Sequence, residues 1–353
     1  MKKLKIAQLV SSLHNVSPAA GQAIYSHVAW LTNSLVNLNH QVVLFAAAGS
    51  NTKAELVSVQ PSPLSSLDLS EETKKYYVNL LISKCFSQAK DFDIIHSHFN
   101  FLNSFYENLV DTPTINSVHS PIKDELKPLL LNFKSRRYVS FSLAQRKIMP
   151  ELNWVGNVYH GVDTNVFSFN PLPKDYFLYI GRITKEKGVH LAIKAARIAK
   201  VPLIIAGRSY RDEGYWQKEI EKHIDGKNIR YIGEADFKEK IKLYQNAKAV
   251  LFPTQYREIF GLVMIEAMAC GTPVIAWKKG SVAEIISDKK TGFVVNSVND
   301  MVNAIKSIDQ ISRQEARKRA ELYFSIKKMA SSYQSVYERV INEHLYKKNG
   351  KKS

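Results

Sequence analysis

Two carboxylates interrupt one of the most apolar parts of a 353-residue chain. In "REIFGLVMIEAMACGTPVIA", residues 257–276, Glu258 stands in the turn that follows the apolar run "AVLFPT", and Glu266 stands inside "LVMIEAMA", which has the length and composition of a buried helix. An ionised carboxylate in such surroundings is costly unless it is paired or hydrogen-bonded, so Glu266 needs a partner. A ribose supplies two hydroxyl donors; backbone amides or a lysine would also serve. Gly261 sits where the helix begins, so the N–H groups of Leu262 and Val263 are open to close approach by a phosphate. One motif upstream, "YIGRITKEKG" ends a strand at Ile180, leaves it through Gly181, and places Arg182 and Lys187 ahead of the helix opened by Gly188. Two cations at a helix N-terminus make a receptor for a diphosphate, since orphan N–H groups and the helix dipole both favour anions. A solvated basic loop is the plain alternative.

The first half of the chain carries a second group of polar residues at expected strand ends. Gly21 follows the loop after the first strand, His96 and His98 end "DIIHSH", and His119 ends "PTINSVHS" before Ser120 and Pro121. His96 and His98 are expected to be structural, as most lone histidines are. His119 is the stronger candidate for chemistry.

The elements that must hold these residues alternate between strand and helix in both halves, the pattern of a parallel sheet covered on both faces. "LKIAQLVSS", "QVVLFAAA", "FDIIHSH", "PTINSVHS" and "RYVSFS" read as buried strands, and Ile24, Val28, Leu31 and Leu35 form the apolar stripe of a helix between the first two. A fresh series begins after "FSFNPLPKD": "YFLYIGR", the helix "GVHLAIKAARIAK", then "VPLIIAGR", "IRYIGE", "AVLFPT", "PVIAWK" and "GFVV". The expected fold is α/β, with two Rossmann-like doubly wound domains facing each other across a cleft. The expected bounds are 1–169, 170–325, and a C-terminal helix with a basic tail over 326–353 that crosses back to the first domain. Ligands of open α/β sheets sit beyond the carboxyl ends of the strands, where all the candidates above fall.

Composition narrows the function classes. The hydrophobic share of 45% is that of a globular protein. The opening "MKKLKIAQLVSS" is expected to be a buried strand rather than a signal peptide, and no run approaches the roughly 20 apolar residues needed to cross a bilayer. Cys85 and Cys270 lack the spacing of a disulfide framework or a zinc site. A cytoplasmic location is expected. The net charge of +17 comes mainly from lysines scattered on helix faces such as "KEKIKLYQNAKA", with one dense run in the tail "YKKNGKKS". This reads as a solvated basic surface, with peripheral contact to an anionic membrane as the alternative and nucleic acid disfavoured.

"GRITKEKG", "REIFGLVMIEAMACGTPVIA" and "GSVAEIISDKKTGFVV" resemble the nucleotide-binding half of family 4 retaining glycosyltransferases of the GT-B fold (glycosyltransferase group 1). "SLVNLNHQVVLFAAAGS", "FDIIHSHFNF", "INSVHS" and "PELNWVGNVYHGVDTNVF" resemble the acceptor-side half. The resemblance implies transfer of a sugar from a nucleotide-diphosphate sugar to an acceptor hydroxyl, with retention of anomeric configuration and with neither metal nor cofactor. No DxD-like metal signature stands at a strand end. By position, Arg182 and Lys187 would neutralise the diphosphate, Glu266 would accept from the ribose, and Glu258 with the backbone after Gly261 would hold the sugar. His119 would contact that sugar, and Gly21 would let its loop pass close to donor or acceptor. Gly181, Gly207, Phe260, Leu262 and Val263 complete the expected donor-binding set, and no protein nucleophile is assigned. In "AAGQAIYSH", Ala20 and Ala23 replace the glycine and the acidic residue common in that loop. The acceptor is an unspecified glycan, lipid or small molecule. A sugar-nucleotide epimerase or a phosphorylase shares the architecture, and a basic protein that binds nucleic acid or anionic membrane is the non-enzymatic alternative.

Overall fold

A computed structural model describes residues 3–209 and 214–350. The chain divides into two compact units, one formed by Met1–Gly161 with Ile326–Ser353 and the other by Val162–Ser325. The first contains β1 (Lys5–Leu9), β2 (Gln41–Phe45), β3 (Glu55–Val57), β4 (Ile94–Ser97), β5 (Thr114–Ser117), β6 (Tyr138–Ser140) and β7 (Trp154–Asn157), in sheet order β3-β2-β1-β4-β5-β6-β7. The second contains β8 (Phe177–Ile180), β9 (Leu203–Ala206), β10 (Ile229–Tyr231), β11 (Ala249–Phe252), β12 (Val274–Trp277) and β13 (Gly292–Val295), in order β10-β9-β8-β11-β12-β13. All these pairings are parallel. β11 is a continuous apolar run because helices cover both faces of each sheet, and β1 is buried over Ile6–Leu9 although Gln8 lies within it. Two strands escaped the periodicity: β3 is short and half-exposed, and β7 is broken by Gly156 and bounded by asparagines.

Each order reverses direction once, between β1 and β4 in the first sheet and between β8 and β11 in the second. Loops leaving neighbouring strands there diverge to opposite faces and open a crevice, the switch point at which doubly wound sheets take their ligands. The helix Ala23–Asn37 follows β1 and buries Val28, Leu31 and Leu35, the stripe read from the sequence, while Ile24 is half-buried.

The first division falls at Gly161 rather than at the proline-rich linker near Asn170. The cause is a pair of arginines on the helix Arg313–Phe324. Arg317 donates to the carbonyls of Thr164, Phe167 and Ala269, and Arg313 to those of Asn170, Gln245 and Ala247, so residues 164–170 are bound into the second unit. The last helix, Ile326–Gly350, groups with the first unit and buries Tyr333 and Tyr337 there. Tyr333 Oη lies 2.9 Å from Ser117 Oγ and Tyr337 Oη 2.8 Å from His96 Nδ1, so the end of the chain completes the polar interior of the first sheet. No helix among the described residues is long and apolar enough to cross a membrane.

Candidate functional site

In the second unit, the loops after β8 and β11 carry the cation pair and the first glutamate, and these strands are the two flanking the switch point. β8 ends at Ile180; Gly181 and the exposed Arg182 follow, then a short turn over Lys185–Lys187, then the helix Val189–Ala199. β11 runs into the loop 253–261 and the helix Leu262–Ala269, capped by Gly261 in the left-handed region at φ 86°. Two helix N-termini thus open at one sheet edge.

Lys187 and Glu258 meet there. Lys187 Nζ donates to Glu258 Oε2 at 2.8 Å and to Tyr256 Oη at 2.6 Å, and Tyr256 Oη donates to Glu258 Oε2 at 2.7 Å. The ammonium also lies 4.7 Å from the centre of the Tyr256 ring. Burial, reinforced by the Glu258 charge, pushes the Tyr256 hydroxyl far up, so it stays a donor. Lys187 Nζ is therefore held in a fixed, shielded position at this sheet edge.

Glu266 finds its partner within the protein. Its Oε1 accepts from Lys240 Nζ at 2.8 Å and its Oε2 from Tyr244 Oη at 2.9 Å. Lys240 and Tyr244 are four residues apart on the helix Phe237–Asn246, so one helix face supplies both. Of the ribose, backbone-amide and lysine partners the sequence left open, the fold supplies the lysine. A carboxylate has about four acceptor positions, so the two bonds leave capacity for ribose hydroxyls.

The remaining residues of the set divide by what they offer. Gly207, at the end of β9, approaches Gly181 so closely that a Cβ would fall 1.8 Å from the Gly181 carbonyl oxygen. Gly207→Ala is therefore expected to displace the turn after β8, with a stability loss of about 3 kcal/mol or more and loss of donor binding; thermal unfolding and nucleotide titration check it. The Phe260 ring is buried, so only its backbone is available to a ligand. Leu262 and Val263 are half-exposed, with first-turn N–H groups free of intrahelical acceptors. Gly21 is exposed, and a Cβ there would meet nothing, so the fold itself does not require glycine at that position.

Sequence reading missed Tyr256, Lys240, Tyr244 and Ser281. Ser281 donates from Oγ to the Phe260 carbonyl at 2.7 Å and from its backbone N to the Glu258 carbonyl at 3.1 Å, which fixes the loop between the two glutamates. The four-residue spacing of Lys240 and Tyr244 was the one available signal, since it places both on one helix face.

In the first unit, His119 lies not alone but among four other histidines. Its Nε2 is 2.9 Å from His98 Nδ1; His98 Nε2 is 2.7 Å from Gln8 Oε1; His96 bridges Ser117 and Tyr337; and His27 Nδ1 is 2.6 Å from His160 Nδ1. The ring of His27 stands edge-on to those of His98, His119 and His160. His96 and His98, expected to be structural, are both buried with their ring nitrogens engaged, and His98 bonds directly to His119. His27, His98 and His119 each bring a ring nitrogen within 4.8 Å of the other two, close enough for a metal ion. Both nitrogens of His98 are already engaged, so an ion would have to break one of its hydrogen bonds.

Burial, with smaller repulsions between the rings, depresses the pKa of His96, His98, His119 and His160 well below the usual value, and burial alone takes His27 to about 3. A histidine held neutral in the fold but titrating at 6.5 when unfolded contributes stability fully above pH 6.5 and loses it as pH falls. Each such group costs on the order of 1 kcal/mol per pH unit in that range. His27→Gln is expected to flatten the decline between pH 6.5 and 4.5 by one proton's worth, measured by urea unfolding across that range.

Comparison with known proteins gives this geometry a context. Residues 164–329 match the family model of glycosyl transferases group 1. An uncharacterized glycosyltransferase of Methanocaldococcus jannaschii is 26% identical over 266 residues, 69% of this chain and 72% of its own. The O-antigen chain mannosyltransferase C of Escherichia coli is 24% identical over 294 residues, 72% of this chain and 77% of its own. This is a glycosyltransferase, of the hexosyltransferase class. The epimerase and non-enzymatic readings of the sequence give way to it. Solved structures place the transferase in the GT-B fold. Sucrose-phosphate synthase from Thermosynechococcus elongatus superimposes with a TM-score of 0.76 over 96% of this chain and 100% of its own at 19% identity. Anabaena HepE in complex with UDP and glucose does so with a TM-score of 0.71 over 95% and 100% at 18% identity.

Proposed function

We propose that the enzyme transfers a hexose from a nucleotide-diphosphate sugar to an acceptor hydroxyl, with retention of configuration, as a family 4 transferase without a metal ion or cofactor. The observation that carries this reading is the Lys187–Tyr256–Glu258 group at the switch point of the second sheet, beside two helix N-termini. Departure of a nucleoside diphosphate develops negative charge on its terminal phosphate, and fixed cations and helix amides can stabilise that charge without reorganising. Arg182 and Lys187 take the diphosphate, and the amides of Leu262 and Val263, made accessible by Gly261, take phosphate or sugar oxygens. Glu258 holds sugar hydroxyls and Glu266 those of the ribose, while Gly181 and Gly207 shape the turn beneath the phosphates. In the first unit, His119 meets a substrate hydroxyl and Gly21 lets its loop approach donor or acceptor. No carboxylate is required as nucleophile: as the bond to the anomeric carbon breaks, the departing phosphate oxygen takes the proton of the attacking hydroxyl on the same face.

The relatives support the donor class, since the Anabaena protein is described with UDP and glucose and the Escherichia coli protein as a mannosyltransferase. Incubation with a panel of nucleotide sugars is expected to show binding and slow nucleotide release, undiminished by a metal chelator. Neither binding nor release from any donor would overturn the reading. Work in the cytoplasm, where nucleotide sugars are made, fits the two buried, reduced cysteines, and contact with an anionic membrane is an extension of the same proposal resting on the basic surface.

A further inference from the structure

We infer that Gln8 and His98 are a positioning pair that dictates which nitrogen of His119 carries its proton, making His119 a hydrogen-bond acceptor toward a substrate hydroxyl. The inference rests on the reading of His119 as a substrate contact, and it follows from the order of donors and acceptors in the first sheet.

Gln8 is fully buried in β1, where its register partner on β4 is His96. Its amide nitrogen donates to Tyr337 Oη at 3.1 Å, and its Oε1 lies 2.7 Å from His98 Nε2. An amide oxygen only accepts, so His98 must carry its proton on Nε2. A neutral imidazole protonated at Nε2 has a bare Nδ1, and His98 Nδ1 is 2.9 Å from His119 Nε2. His119 therefore donates from Nε2 and keeps the lone pair on Nδ1. That Nδ1 makes no hydrogen bond among the described residues, and the His119 residue is partly exposed while His98 and Gln8 are sealed in. Asn100 Oδ1 accepts from the backbone N–H groups of His119 and Ser120, at 2.5 and 3.0 Å, and so fixes the backbone that carries the ring.

Burial keeps both rings uncharged near neutral pH, so the tautomer is the variable that remains. Reversing the Gln8 amide would reverse the whole series. Its NH2 would donate to His98 Nε2, His98 Nδ1–H to His119 Nε2, and His119 would face the substrate with Nδ1–H, a donor where an acceptor is needed. In the observed sense the amide nitrogen donates to Tyr337 Oη, which the last helix contributes and which is also 2.8 Å from His96 Nδ1. Neither Gln8 nor Tyr337 touches substrate in this scheme.

The test uses the full chain with 15N-labelled histidine. At neutral pH and without ligand, the His119 imidazole is expected to show a protonated Nε2 and an unprotonated Nδ1. Gln8→Leu removes the acceptor and is expected to shift this toward the other tautomer and to lower kcat/KM for the sugar nucleotide about tenfold. Gln8→Glu, which still accepts from His98, is expected to retain the tautomer. A proton on His119 Nδ1 in the parent protein overturns the inference whatever the variants do. So does a Gln8→Leu protein whose tautomer shifts while kcat/KM stays unchanged. His119→Gln reports on the underlying reading alone: unchanged turnover there overturns the substrate role of His119, whereas the tautomer measured without substrate judges Gln8 and His98 separately.

Discussion

Replacing Lys187 with alanine is expected to lower kcat about a hundredfold or more while changing the KM for the sugar nucleotide much less. The asymmetry follows from when the interaction matters. Ground-state diphosphate already carries charge that water, Arg182 and helix amides can satisfy, whereas the charge added as the sugar departs must be met at once by a group already in position. Lys187 is such a group because Tyr256 and Glu258 hold its ammonium in place with two hydrogen bonds. The substitution also strands Glu258, whose side chain is 12% exposed, with Tyr256 as its remaining partner, so some loss of thermal stability accompanies it. Lys187→Met, which keeps the packing over the Tyr256 ring, separates the two effects: turnover should remain low while stability recovers in part. Steady-state kinetics with unchanged kcat in either variant would remove Lys187 from the leaving-group role.

Replacing Glu266 with glutamine is expected to raise the donor KM about tenfold with kcat little altered, the signature of binding energy expressed equally in ground and transition states. The companion variant Lys240→Met decides what kind of residue Glu266 is. Lys240 and Tyr244 satisfy the carboxylate in the structure, so each substitution breaks the same ion pair and each should cost stability. Only Glu266→Gln weakens the acceptor that a ribose would use. If both variants lose stability equally and both bind nucleotide as the parent does, Glu266 is an internal structural partner. Isothermal titration with nucleoside diphosphate, alongside thermal unfolding, gives the two readouts.

The second sheet was legible almost completely, because its strands other than β10, which Arg230 interrupts, are unbroken apolar runs bounded by glycine, proline or charge, and burial on both faces forces that composition. Its candidate residues were legible by place: Glu266 stands out in a helix that is otherwise apolar, and Arg182, Lys187 and Glu258 lie in loops between a strand end and a helix N-terminus. Their partners were not. Tyr256, Lys240 and Tyr244 occur in segments where polar residues are ordinary, and nothing local marks Lys240 off from the other lysines of its helix. The boundary at Gly161 was hidden because it depends on Arg313 and Arg317, far along the chain, donating to the carbonyls of residues 164–170. His98 was set aside for a related reason. A histidine at a strand end has no meaning by itself, and its bond to His119 exists only because β4 and β5 lie side by side.

From the order of residues alone came the two parallel sheets, the loops that hold the candidate residues, and the demand that a carboxylate at 266 be paired. Periodicity, glycine placement and the cost of buried charge are local properties, and they act on the chain wherever it folds. Tertiary structure decided which groups meet those demands. It chose Lys240 and Tyr244 for Glu266, Tyr256 to fix Lys187 against Glu258, and a glutamine on the first strand to govern a histidine beyond the fifth. Hydrogen bonds have directions and lengths of about 3 Å, and only the packed arrangement of distant segments brings donors and acceptors within them.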